Sequence, residues 1–324
     1  MPYWLLISRS FAISWRHRYL WLLALFAGEG GGTFSPGGQT STQIGPSGSG
    51  TGPDVSSMPQ QVSDWLGQHL SLVAAVSVMF ILLTIAFFVL AAVCEGALVR
   101  ASAEHDAERP FGLRVAWRCG VATMGTIIRF RLLLIALWLP VFIVFVALIA
   151  GLIVAIVNKN VGPAVAIGVV TFFLVLPAIV YGTYLSILNR LGARAAVLEQ
   201  VGAKASIVRA HRLLRKRLGR VLLVWLLSIA TAIALGVCMA VALAILVVPA
   251  SLLGFGAYAS GSSVLWLAAA AVSLIIFAVA LVIGGFVAAQ TSTYWTLAFR
   301  RLEIDQAPVP AYVYPPAAPP QFTG

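Results

Sequence analysis

Few residues of this chain are placed to do chemistry, and the most telling is Glu95, a carboxylate five residues before Arg100 at the end of an apolar run. An acid at that depth is costly to bury. It either serves an intramembrane polar path or is matched by a base, here Arg100 or an Arg from a neighbouring part of the chain. No second membrane acid accompanies it, so a proton relay has nothing to run through. Glu104, His105, Asp106 and Glu108 carry metal-ligating atoms, but the stretch lacks HExxH spacing and reads as a solvated polar loop. Lys204, Arg209, Arg212, Arg215, Lys216, Arg217 and Arg220 form the densest basic segment. Ile207, Ala210, Leu214 and Leu218 recur between them at helical spacing, the pattern of a helix lying on an anionic inner leaflet.

Other motifs point away from catalysis. His69 only opens an apolar run at its outer face and no histidine lies in the interior of one, so a Ser and His dyad has no base inside the membrane. Cys94, Cys119 and Cys238 form no CxxC pair, and the glycines contain no GxxxxGK[ST]. No cofactor, metal or catalytic set is expected. Pro140 and Pro177 fall inside apolar runs and each frees a backbone carbonyl, which suits either a cavity-lining hinge or ordinary helix packing. Small residues four apart, Ala147, Gly151 and Ala155 and then Ala280, Gly284 and Ala288, favour close helix contacts within the monomer.

The elements that must position these residues follow from charge and hydropathy. Hydrophobic residues make up 60% of the chain and charged residues 10%, which makes lipid the solvent. A net charge of +11 would suit nucleic acid in a soluble protein, but here the bases flank apolar runs and anionic lipid accounts for them. Nucleic acid is therefore not an expected partner. Of the 21 Lys and Arg residues, all but Lys159 lie on one side of the apolar runs. The positive-inside rule then places both termini in the cytoplasm, with an even number of spans.

Five runs are long enough to cross: 69–98, 132–157, 163–188, 221–248 and 264–289. A sixth, 11–28, has only ten apolar residues, from Tyr19 to Gly28, and needs Phe11 to Arg18 in the same helix with Arg16 and Arg18 snorkelling. The alternative is a cleaved signal peptide, which leaves five spans. Residues 29–68, rich in Gly, Ser, Thr and Pro, predict a flexible external loop, and Pro249 to Ser263 a short one. Residues 304–324, with six prolines from Pro308 onward, predict a disordered cytoplasmic tail whose Tyr314, Pro315, Pro316, Pro319 and Pro320 offer a weak docking motif for a protein partner.

A repeat organises the whole. WLLISRSFAISWRHR, WRCGVATMGTIIRFR and SIVRAHRLLRKRLGR each lead into an outgoing span, and the returning spans end CEGALVR, YLSILNR and YWTLAFR at Arg100, Arg190 and Arg300. In the second basic segment Val115, Trp117, Val121, Met124, Ile127 and Ile128 predict the apolar face. The fold class is all-α, a polytopic transmembrane bundle of six spans as three parallel helical hairpins with juxtamembrane amphipathic helices.

The opening RSFAISWRHRYLWLLALFAGEGGG with its Gly-rich continuation, the GALVRA segment and the repeated basic helix resemble a group of uncharacterised bacterial polytopic proteins. These are similar to the membrane domain ahead of the catalytic domain in some glycerophosphoryl diester phosphodiesterases. The resemblance implies a six-helix bacterial inner-membrane module without catalytic residues of its own, and no soluble segment here is long enough for the catalytic barrel. Two functions fit: a non-enzymatic scaffold or accessory subunit touching anionic lipid, or a transporter or lipid-handling protein with a pathway near Pro140 and Pro177. Polar lining separates them, and the spans offer chiefly Thr171, Ser228, Thr231, Ser273 and Glu95.

Overall fold

The computed structural model describes residues 4–27, 69–158 and 161–303. Over these residues the chain forms helices α1 (Trp4–Arg16), α2 (Tyr19–Ala27), α3 (Leu70–Asp106), α4 (Leu113–Val157), α5 (Val161–Leu198), α6 (Ala203–Lys216), α7 (Leu218–Ser260) and α8 (Ser263–Glu303). Five of them, α3, α4, α5, α7 and α8, are long and apolar enough to cross a membrane. The expected external loop and the Pro-rich tail lie outside the described residues.

Three boundaries differ from the sequence reading. The second basic segment is not a separate helix: it is the start of α4, continuous with its apolar run. The stretch from Pro249, expected as a loop, is helical, and α7 stops only at Gly261, whose φ of 63° supplies the left-handed cap that glycine adopts without penalty. The run 11–28 is not one helix. His17 and Arg18 interrupt it, because the Trp21 indole donates to the Ser14 carbonyl at 2.7 Å, the acceptor that the Arg18 amide would use in a continuous helix.

Burial concentrates at the end of the molecule that carries the arginines. Most residues of 92–103 in α3, 185–197 in α5 and 288–302 in α8 are buried, whereas the most apolar stretches of the five long helices contain almost no buried residue. The contrast has a simple cause. In lipid an apolar side chain gains little by leaving its surroundings, so the hydrophobic effect assembles a core chiefly where water reaches the helices.

Around that core the helices pair antiparallel. Gly192, Tyr181 and Ile167 of α5 meet Phe130, Leu137 and Gly151 of α4 respectively. Tyr294 and Trp295 on α8 bond to Val224 and Ser228 on α7 at 3.0 and 3.1 Å. Tyr19 at the start of α2 meets His105 near the end of α3, while Ala27 at the other end of α2 and Glu95 of α3 share Arg131 as a partner. The amphipathic helices close the core from outside. Leu6, Ile7, Ser10, Ile13 and Ser14 of α1 face it, and α1 packs chiefly on α8; Ser206, Ala210, Leu213 and Leu214 of α6 are buried in packing on α5 and α4.

Candidate functional site

Polar groups are gathered at the arginine-rich end, because there each returning helix winds past its terminal arginine. Glu104, His105 and Asp106 are thus the last turn of α3 rather than a solvated loop. Arg300 of α8 donates to the Asp106 carboxylate at 2.7 Å and to the Ala103 carbonyl at 3.0 Å, and Arg9 of α1 pairs with the same carboxylate at 2.7 Å. Arg100 pairs with Glu104 at 2.8 Å within α3. Arg190 of α5 lies 5.1 Å from the Trp295 ring centre on α8, a cation over an aromatic face. Arg300 and Arg190 thus join α8 to α3 and α5, whereas the pair of Arg100 with Glu104 stays within α3.

Beneath them runs a hydrogen-bonded seam. Thr293 meets Ser102 at 3.0 Å and Ser14 at 3.5 Å, and Gln290 donates to Ser10 at 3.2 Å. Arg194, fully buried, donates to the Arg190 carbonyl at 2.8 Å and to the Ser292 hydroxyl at 3.2 Å. Buried polar groups that satisfy one another fix the register of the helices that carry them. The seam joins α1, α3, α5 and α8.

Glu95, 2% exposed, is ion-paired to Arg131 of α4. Arg131 lies on the following long helix, so the match comes from another part of the chain. Of the bases in the third segment, Arg209 turns to Glu199 and Glu303, at 3.2 Å from each. Burial, then the hydrogen bond to Glu199 and its charge, push the Glu303 carboxyl up to about 8 against the pull of Arg209; it lies past the apolar stretch of α8. Lys204, Arg212, Arg215 and Lys216 occupy the exposed face of α6. Arg217 is the break between α6 and α7, and Arg220 is in the first turn of α7. The expected apolar stripe of this segment differs in its role: Ala210 and Leu214 are buried against protein, Ile207 packs on the same core, and Leu218 opens α7.

Pro140 and Pro177 are exposed, and α4 and α5 continue through them. Tyr181 donates to the Leu137 carbonyl at 2.9 Å, beside the Ala136 carbonyl that Pro140 leaves without its helical donor. Of the apolar face expected for the second basic segment, Ile127 is buried with Met124 and Ile128 packed beside it, while Trp117 and Val121 are exposed; Ala116, Gly120 and Phe130 are the other buried residues of this stretch.

One cluster was not expected from sequence. The imidazole of His17, in the break between α1 and α2, stacks on that of His105 with ring centres 3.6 Å apart and planes 8° from parallel. The Tyr19 hydroxyl lies 2.5 Å from His105 Nε2 and donates to the Phe111 carbonyl at 3.2 Å. Burial, then the nearby His17, hold His105 down at about 4, so it is neutral at physiological pH. The cluster borders an open cleft of about 680 Å³ between α1 and the turn from α3 to α4. Among the described residues no group of three or more His, Cys, Asp and Glu side chains is arranged to hold a metal ion.

A protein-family profile described as Family of unknown function (DUF7544) matches residues 11–297. The chain belongs to this family. The match runs from Phe11 on α1 to Leu297 on α8, so the DUF7544 region includes the stacked histidines, the seam and Glu95 with Arg131, and ends before Arg300 and Glu303. No curated protein and no solved structure matches the chain.

Proposed function

We propose that this protein is a non-enzymatic scaffold or accessory subunit of a bacterial inner membrane, with its arginine-rich end in the cytoplasm against anionic lipid. Six spans as three parallel hairpins are part of the reading: α2 with α3, α4 with α5, and α7 with α8 are its three units, and α2 is the inner end of the first outgoing span. The antiparallel course of each pair supports this, as does the position of Arg100, Arg190 and Arg300 near the inner end of each returning helix. The likeness to the phosphodiesterase membrane domain belongs to the same proposal, as a likeness of module without the catalytic barrel.

The observation that carries the scaffold reading is where the polar groups of the spans point. Thr171 donates to the Ile167 carbonyl and Thr231 to the Leu227 carbonyl of their own helices, and Ser228 accepts from Trp295. Such groups are already satisfied and offer a polar cargo little. Pro140 and Pro177 face outward, which weakens the transporter alternative. Lys204, Arg212, Arg215 and Lys216, by contrast, form no ion pair with an acid among the described residues, and each base near an anionic leaflet contributes about 1 kcal/mol.

Spin-labelled lipids test the reading in reconstituted vesicles. Phosphatidylglycerol should be immobilised at the protein in preference to phosphatidylcholine, with a selectivity that falls as salt rises and drops in the triple variant Arg212→Gln, Arg215→Gln, Lys216→Gln. Equal retention of both lipids by the unmodified protein would refute the anionic contact.

A further inference from the structure

The cleft beside the stacked histidines has a lining that calls for an anion. Arg9, Arg16 and Arg109 contribute three cations, Glu108 one carboxylate, and His17 and His105 the imidazoles. The cations are not equivalent. Arg9 is held by Asp106, at 2.7 Å to the carboxylate and 2.7 Å to the backbone carbonyl, so it is fixed in place and largely matched. Arg109 reaches Glu104 only at 3.4 Å. Arg16 is exposed and pairs with no acid among the described residues. His17 stacks through its face, which leaves its ring nitrogens at the edge, whereas the Nε2 of His105 is engaged by Tyr19.

Two guanidiniums with spare donors beside an imidazole whose nitrogens are uncommitted suit a phosphate: planar donors grip its oxygens, and the imidazole can donate or accept a proton as the phosphate changes charge. Size agrees, since about 680 Å³ accommodates a phosphate with a small body attached, and the wall formed by Ile13 and Phe111 is apolar. Location adds a further constraint. On α1, Trp4 and Trp15 are 70% and 65% exposed, as aromatic residues at a membrane interface are, so the cleft borders an interfacial helix.

We propose that the cleft between α1 and the α3 to α4 turn binds a phosphate monoester, held by Arg16, Arg109 and His17. The group can come from a lipid headgroup or from a soluble phosphate ester. This deepens the anionic-lipid reading and rests on it for the placement of the cleft at the inner leaflet, but the site is separate from the basic face of α6.

The full-length protein in neutral phosphatidylcholine nanodiscs provides the test, with binding followed by native mass spectrometry for phosphatidic acid and by calorimetry for glycerol 3-phosphate. One saturable site is expected, weakened by about 10-fold or more in Arg16→Gln and in Arg109→Gln, the loss of a charge-assisted hydrogen bond. Both side chains are exposed, so both variants should keep the melting temperature of the parent. His17→Gln should also weaken binding. Saturable binding of phosphatidic acid alone identifies a lipid headgroup as the source; binding of glycerol 3-phosphate as well shows that the phosphate suffices. The idea fails if neither probe saturates, or if Arg16→Gln and Arg109→Gln bind like the parent. It fails equally if only the triple variant of Arg212, Arg215 and Lys216 loses binding, a result that would leave the surface reading intact.

Discussion

Arg131 of α4 donates through a single guanidinium nitrogen both to the Glu95 carboxylate of α3 and to the Ala27 carbonyl of α2, at 3.0 Å for the latter. The same guanidinium lies 5.8 Å from the Phe88 ring centre. One side chain therefore ties together α2, α3 and α4 at the level where the buried core gives way to exposed apolar helix.

Breaking that tie should be costly from either side. Glu95→Gln leaves the Arg131 cation without this counter-charge and Arg131→Gln leaves the buried carboxylate without this cation, so each should lower stability by about 3–5 kcal/mol, the cost of removing one partner from a buried ion pair. The double variant should lose clearly less than the two losses added together, since neither charge is then stranded. Unfolding titrations in mixed micelles measure all three. Additive losses would mean that the two residues act independently.

Close crossings make a second set of predictions. A Cβ on Gly120 would sit 2.3 Å from the Val93 carbonyl oxygen and 3.1 Å from Ala97, and a Cβ on Gly285 2.8 Å from the Trp21 carbonyl oxygen. These neighbours are backbone, which cannot rotate aside. Gly120→Ala and Gly285→Ala should each destabilise by about 1–3 kcal/mol, the range for overpacking. Gly236→Ala, with nothing within 4 Å, should be neutral or mildly stabilising. Melting temperatures in detergent compare the three, and equal effects would contradict the crossings described.

The glycines also show what was legible in the sequence. Hydropathy was sufficient for the five long helices, because roughly 20 apolar residues are needed to cross a bilayer whatever they pack against. It could not tell Gly284, which faces open space, from Gly285, which lets α2 approach α8, because that depends on a helix far away in the chain. The His17 and His105 stack was hidden for the same reason: one ring lies in a helix break that an indole hydrogen bond creates, the other on a turn of α3 that looks like polar loop. Glu95 was readable as an acid in need of a base, and its partner in another part of the chain was one of the alternatives. The amphipathic stripe of α6 was readable as a stripe, but periodicity does not say whether lipid or protein covers it.

Orientation is open to direct measurement. With Cys94, Cys119 and Cys238 replaced, Ser262→Cys, in the turn between α7 and α8, and Arg212→Cys, on α6, lie at opposite ends of the long helices. Placement of the basic end in the cytoplasm predicts that a membrane-impermeant maleimide labels the first in intact cells and the second only after permeabilisation. The reverse pattern would invert the topology and with it the inner-leaflet reading.

Glu303 makes stability depend on pH. Its carboxyl, at the end of α8, faces Glu199 after α5 and Arg209 on α6, and burial with the neighbouring Glu199 pushes it up to about 8 from the ordinary 4.5. The fold thus favours the protonated form. A carboxyl raised in this way contributes stability that is fully present below about 4.5 and is lost as pH rises through about 8, because the folded state must then release a proton that it holds more tightly than the unfolded chain does. The end of α8 should therefore loosen from α5 and α6 on going from neutral to mildly alkaline pH. In detergent, the melting temperature of the parent should fall across that interval, and Glu303→Gln, which keeps the neutral hydrogen-bonding form, should flatten the fall. Glu199→Gln should do the same from the other side, by removing the like charge that raises Glu303, while Arg209→Gln should steepen it. A parent whose melting temperature rises or holds steady from neutral to alkaline pH would show that Arg209 keeps both carboxylates charged.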